Sequence, residues 1–441
     1  MKLPLLTSLF AIFSITLSVT TVSSPARASN LWEIYEMALA NDPSYRAAYL
    51  DHEANLFNLP LAEAAFKPTI GASAQLGKDY TDISGSTETR DDNGANLNLN
   101  LPLFDRSDRI QIKQSRYQEQ VSAFRLKQAE QNLILRVAER YFNLLAGQDA
   151  LDVARLERIS IKRQMDLASE RLEVGLGTRT DLYDAQARFK LSESDEIQAQ
   201  NKINNDIALL KQIIGTTPEA LTPLSESAPL ELPSPNDVDE WISLSQKGNL
   251  SLNIQSLTKD IALEEIDKQR RARSPQLSVD GNYRWADTDT NFNGSSGSYN
   301  SASVALQLKI PLYLAGTTHL RTEQAGYQYN QSESLLEEAR RAASADATSA
   351  FLDISSGVSQ VEALFDAIRA GESALEAKEE GFNAGLTTNL DVLDAQRDLS
   401  QSKTDYLRAR YTYILSVLQL ESATGDLNDN DVKRVNNWLA N

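Results

Sequence analysis

Polar and apolar residues alternate in four short stretches of the chain, more strictly in the second of each pair. Ile70, Ala72, Ala74 and Leu76 alternate with Thr69, Gly71, Ser73 and Gln75. Leu97, Leu99 and Leu101 stand between Asn96, Asn98 and Asn100. Leu277, Val279, Tyr283 and Trp285 alternate with Ser278, Asp280, Asn282 and Arg284, and Val304, Leu306, Leu308 and Ile310 with Ser303, Ala305, Gln307 and Lys309. A period of two predicts half-buried strands. Within each pair lies a stretch rich in Asp, Asn, Gly and Ser, Asp79 to Gly94 and Asp287 to Ser301, which reads as a loop.

The rest of the pattern is helical and unusually long. Arg106 to Val174 holds no proline and one glycine, Gly147, and Thr317 to Ala384 holds no proline. At ~1.5 Å per residue each stretch makes a rod of about 100 Å. Globular helices seldom exceed about 25 residues. Leu126, Ala129, Leu133, Val137, Tyr141 and Leu144, then Leu151, Ala154 and Leu156, form a broken, alanine-rich stripe. Such a stripe suits close-packed coiled-coil pairs. Gly175 and Gly385 end the rods, where a positive φ is wanted. Return helices follow over Thr180 to Ile214 and Asn389 to Ala423. Ahead of the strands, one helix each is predicted for Leu31 to Phe66 and Val238 to Arg273, both stopping before a proline.

This plan is written twice. Arg171 to Gln186 reads RLEVGLGTRTDLYDAQ, and Gly381 to Gln396 reads GFNAGLTTNLDVLDAQ, 210 residues later. Leu101-Pro102-Leu103-Phe104 answers Ile310-Pro311-Leu312-Tyr313. The expected organisation is a leader over 1–28, a first repeat over 29–215, a proline-rich linker over 216–237, a second repeat over 238–425 and a C-terminal tail over 426–441. Met1-Lys2, the apolar run Leu3 to Val22 and Ala26-Arg27-Ala28 make the leader a secretory signal peptide, with the mature chain starting at Ser29. A transmembrane anchor is the alternative for the same run.

Charge narrows the partners. The leader holds two of the 43 basic residues and none of the 61 acidic ones, which leaves a net charge of −20. Phosphate recognition needs a basic face, so nucleic acid is excluded as a partner. The chain has no cysteine, hence no disulfide, thiol nucleophile or thiolate metal site. After the leader no apolar run reaches the ~18 residues of a membrane helix, so a spanning role falls to a β-barrel. Two hairpins are marginal in water, yet lipid on one face and a wet lumen on the other would satisfy both sides. A core-facing sheet remains the other reading of the alternation. Four strands cannot close a barrel, for which about eight is the practical minimum, so closure demands a cyclic oligomer.

Candidate chemistry lies at the hairpin tips. Asp391 and Asp394 are spaced i, i+3 near the start of the return helix, and Asp181 and Asp184 repeat them. One reading is capping and dipole complementarity. Another is stacked carboxylate rings that gate a pore. Acid–base catalysis lacks a nucleophile, metal set or pocket signature. His52 and His319 are isolated, and Gly175-Leu176-Gly177 reads as a turn and not a phosphate loop. No cofactor and no metal site is indicated.

The duplicated Gly-Leu-x-Thr-x-x-Asp-x-x-Asp-Ala-Gln segment, the Pro-Leu-Phe and Pro-Leu-Tyr entries and the 210-residue spacing resemble the TolC family of outer-membrane efflux and secretion proteins, over nearly all of Leu31 to Gly425. The resemblance implies a mainly α protein with a small β part: a homotrimer with a twelve-stranded β-barrel in outer-membrane lipid and a periplasmic barrel of duplicated coiled-coil hairpins. It implies a passive exit duct, docked to a periplasmic adaptor protein and an inner-membrane transporter. By the same resemblance Asp391 and Asp394 are entrance aspartates that bind cations, and Asp181 bonds across to the neighbouring hairpin. The family's latch tyrosine and arginine are replaced here by Phe382 and Thr387, with Arg179 as a candidate substitute. A periplasmic adaptor-like protein and a structural coiled-coil protein without pore activity are the rival expectations.

Overall fold

The computed structural model describes residues 28–83, 85–289 and 297–440. The signal-peptide expectation, 1–27 of it, lies outside the described residues. Two rods dominate the rest. Helix α4 runs Arg106–Glu173 and helix α8 runs Thr317–Asn383. Each turns back into a shorter helix, α5 over Arg179–Ile214 and α9 over Asn389–Thr424. Among the described residues, no helix is long and apolar enough to cross a membrane.

The helices ahead of the strands are broken where one apiece was expected. The first half has α1 (Leu31–Asn41), α2 (Pro43–Asn55) and α3 (Asn58–Glu63). Pro43 offers no N–H and keeps Asp42 extended, with ψ 117°. The Asp42 carboxylate then starts α2 by accepting the Tyr45 N–H at 2.7 Å, and accepts from both terminal guanidinium nitrogens of Arg136 at 3.0 and 3.2 Å. The second half has α6 (Val238–Gly248) and α7 (Leu250–Arg270), divided at Asn249, whose side chain caps α7 through the Leu252 N–H. Gly248 is required at this break. A Cβ there would strike the carbonyl oxygen of Thr424, so the start and the end of the second repeat meet at backbone contact.

The four predicted strands form one antiparallel sheet in the order β1 (Thr69–Ile83), β2 (Ser86–Phe104), β3 (Gln276–Asp289) and β4 (Gly297–Lys309). The strands run far into the two stretches expected to be loops. Lys78 sits opposite Asp91 with an ion pair of 3.5 Å, and Gln75 donates to Asp92 at 2.5 Å, so polar cross-strand pairs carry the ladder onward. Register assigns the faces. Leu97 faces Ala72 and Tyr283, Val279 faces Leu101 and Leu306, and Val304 faces Gly281. On the opposite face Asn100 donates to Asp280 at 2.7 Å and Asn282 to Asn96 at 2.6 Å. The apolar face is bare: Leu76 is 87% exposed and Val304 80%.

The apolar core sits midway along the rods. Leu133, Val137, Tyr141, Phe142 and Leu145 of α4 meet Leu210 and Ile214 of α5, Ile414 and Leu418 of α9, and Leu31, Ile34 and Tyr35 of α1. The proline-rich segment is strapped to this core. Tyr141 Oη donates to the Thr222 carbonyl at 2.8 Å, and Tyr413 Oη to that of Glu231 at 2.9 Å. Within the tail, Asp429–Asn436 folds as α10 against α1, where Tyr35 Oη donates to Asp429 at 2.8 Å and Lys433 lies over the Trp32 ring.

Candidate functional site

The tips of the two helical hairpins are built alike from their shared sequence. Gly175 and Gly385 take φ 77° and 76°, a conformation that costs any other residue strain. The Leu176 N–H then returns to the Arg171 carbonyl at 2.8 Å, and that of Leu386 to Gly381 at 2.8 Å, closing the last turn of each rod. Three residues on, Thr178 and Thr388 cap the return helices with reciprocal bonds. The Asp181 N–H donates to Thr178 Oγ1 at 3.1 Å, while Asp181 accepts from the Thr178 N–H at 3.1 Å and its hydroxyl at 2.7 Å. Asp391 does the same with Thr388 at 3.2, 2.9 and 2.6 Å. These bonds, with Lys378 Nζ at 3.8 Å, hold the Asp391 carboxyl below the usual carboxylate range.

Asp394 lies one turn deeper and is held differently. Its Oδ1 meets a guanidinium nitrogen of Arg188, on α5 of the other hairpin, at 2.5 Å. Arg188 was not singled out from the sequence. Asp184 makes no hydrogen bond or ion pair among the described residues, and neither does Arg179, which is exposed. Phe382 is met by Arg171: the guanidinium carbon stands 4.2 Å from the ring centroid, one nitrogen donates to the Phe382 carbonyl at 3.4 Å and another to Asn383 Oδ1 at 3.2 Å. Thr387 turns inward, its hydroxyl donating to the Lys378 carbonyl at 2.9 Å. Buried Asn389 reaches the Asp181 carbonyl at 3.4 Å. Asp181 thus joins the second hairpin through its backbone, and its carboxylate is spent on its own cap.

Above the tips the hairpins part around a cavity of about 520 Å³ lined by Glu157, Arg188, Asp195, Leu393, Arg397 and Ser400 among others. Burial pushes the Glu157 carboxyl up, and a bond from Ser400 with the charges of Arg397 and Arg188 holds it back. Of the two histidines, His52 shares a 2.9 Å hydrogen bond with Ser122.

A model described as "Outer membrane efflux protein" matches the chain twice, over residues 34–216 and 241–426. The chain belongs to the outer membrane efflux protein family. It is 32% identical over 427 residues to the outer membrane protein TolC of Vibrio cholerae serotype O1, covering 96% of this chain and 97% of that protein. It is 29% identical to the alkaline protease secretion protein AprF of Pseudomonas aeruginosa, covering 98% and 90%. Among solved structures, CusC superposes with a TM-score of 0.79 over 90% of this chain and 92% of that one, at 20% identity, which shows the shared fold. VceC of Vibrio cholerae does so at 0.75 over 90% and 96%, at 15% identity. As an outer membrane efflux protein the chain resides in the outer membrane. Membership sets aside the adaptor and filament readings.

Proposed function

We propose that three copies of the chain close head to tail into one duct that conducts passively across the outer membrane and is gated at its far, helical end. The observation that carries this reading is a sheet with one bare apolar face and, among the described residues, two unpaired edges, β1 and β4, lying over a helical layer with the same two open edges. In that layer α2 packs on α4, α4 on α7 and α7 on α8, which leaves α2–α3 and α8 outermost. Exposed apolar residues line both: Tyr49, Leu50, Phe57 and Leu61 on one side, Leu320, Tyr327 and Leu335 on the other. A heterologous contact that joins α8 to the next copy's α2 and β4 to its β1 pairs every edge at once. Three copies of four strands make a twelve-stranded barrel with the asparagine face inward.

At the hairpin tips the same symmetry gathers Asp391 and Asp394 of each copy around the axis, with Asp181 and Asp184 behind them. Rings of carboxylates narrow a pore and draw cations. The duct performs no catalysis. A periplasmic adaptor and an inner-membrane transporter supply opening and energy, in keeping with the secretion role for which the Pseudomonas relative is named. The test is single-channel recording of the purified protein in planar bilayers. Replacing Asp391 and Asp394 with alanine should raise the closed-state conductance several-fold and abolish block by divalent cations. Unchanged conductance and block in that variant would remove the gate from the tips.

A further inference from the structure

Only contacts that pass from one hairpin to the other resist separation of the tips. The bonds of Asp391 do not: Thr388 and Lys378 both belong to its own hairpin and would travel with it. Several side chains near the tips do cross: Leu393 packs against Ile161, Ala168 and Ala185, and Ser160 Oγ donates to Gln396 at 3.2 Å. Asn389 makes a single long bond to a backbone carbonyl. The charged side chains that cross are two arginines of the first hairpin, Arg171 at the end of α4 and Arg188 on α5. Arg171 covers the Phe382 ring and reaches the Phe382 carbonyl and Asn383. Arg188 reaches Asp394 and borders the cavity beside Glu157.

We propose that Arg171 and Arg188 form the latch that holds the two hairpins of one protomer together, and that Arg188 removes Asp394 from the cation-binding ring. The inference rests on the gate reading and assigns its restraint and its charge to residues that reading does not name. The pairing is physically suited to a latch. A guanidinium is always charged, so the hold does not lapse with pH. Each contact is partly exposed and so weak singly, since solvent screens it. Three protomers repeat both contacts around one axis, so the weak holds act together and remain breakable by a docking partner. Arg171 also accounts for Phe382. A ring without a hydroxyl offers no hydrogen bond, yet its face binds a cation well. The cavity gives the arrangement a second state, because Arg188 released from Asp394 swings into space that already holds the Glu157 carboxyl.

This predicts a ring in which Asp391, and not Asp394, presents the carboxylate near the axis, with Lys378 of its own hairpin 3.8 Å away, and a barrier to opening set by the arginines. The experiment uses the full-length purified channel in planar bilayers, with Arg188→Glu, Asp394→Arg and the double exchange. Each single variant should raise closed-state conductance several-fold, by setting like charges against each other where Arg188 and Asp394 now meet, and the exchange should return it to the wild-type level. If Arg188→Glu fails to assemble, Arg188→Gln removes the charge at similar length and is read for the same rise. Wild-type conductance in Arg188→Glu or Arg188→Gln, with a raised conductance in Asp391→Ala/Asp394→Ala, overturns the latch and leaves the gate standing. No change in either set overturns both. Folded single variants whose defect the exchange does not repair also overturn the latch.

Discussion

Asp181 and Asp391 occupy the same place in the two hairpins, each the third residue of its return helix and each accepting from the backbone and hydroxyl of the threonine that caps it. The cap therefore does not compete with the proposed gating role of Asp391, since the carboxylate that closes the helix end stays partly exposed. Asparagine separates the two. It keeps an acceptor for Thr388 and loses the charge. Asp391→Asn should leave helix content and protease resistance of the tip unchanged and weaken divalent-cation block about tenfold. Asp391→Ala should lose both.

The same carboxyl gives a sign for pH. Its value in the folded protein lies below that of an unfolded aspartate. The stabilisation it lends is therefore fully present above the ordinary value, about 3.9, and is lost as pH falls through the lower folded value. Cation block in bilayers should accordingly persist to a pH at which free aspartate is largely protonated.

Adjacent residues of β4 test which face of the sheet meets lipid. Val304 lies on the bare apolar face, and Ser303 pairs with Asn282 on the amide-lined one. Val304→Arg should cost about 2–4 kcal/mol per copy, as a cation near the bilayer midplane does. Ser303→Arg should stay within about 0.5 kcal/mol, as surface substitutions do. Yield of heat-resistant oligomer in outer-membrane fractions reads the difference. Equal losses in the two would mean that the faces are misassigned.

The rods and their turns were legible because their signals are local. Long stretches without proline and the repeated Gly-Leu segments announce α4, α8 and the positive-φ glycines directly. Strand extent was less legible, since alternation reports only the band where one face is apolar. Beyond it, pairs such as Lys78 with Asp91 extend the ladder without any period of two. Pro43 carried a readable break that the long helical period masked. The break at Asn249 depends on how closely Gly248 approaches Thr424, a contact 176 residues distant in sequence. Arg188 was illegible for the same reason. Its partner lies 206 residues away, and alone it looks like any base on a solvated helix.

Asp149 offers a test of the helical core. Tyr411 Oη donates to it at 2.6 Å, where α9 packs on α4. Burial pushes the Asp149 carboxyl up, and Asp152 adds to this, while the Tyr411 hydroxyl and Arg410 hold it back. Between the unfolded value and the raised folded one the native state binds more protons than the unfolded chain, so stability falls as pH rises through that window. Above the folded value the cost is paid in full. Asp149→Asn keeps an acceptor for Tyr411 and cannot ionise. Its apparent melting temperature should exceed that of the wild type at pH 8 by about 2–4 °C, and the two should converge near pH 4. A variant that melts lower than wild type at pH 8 would show that the ionised carboxylate, charge-assisted by Tyr411 and Arg410, stabilises this crossing instead.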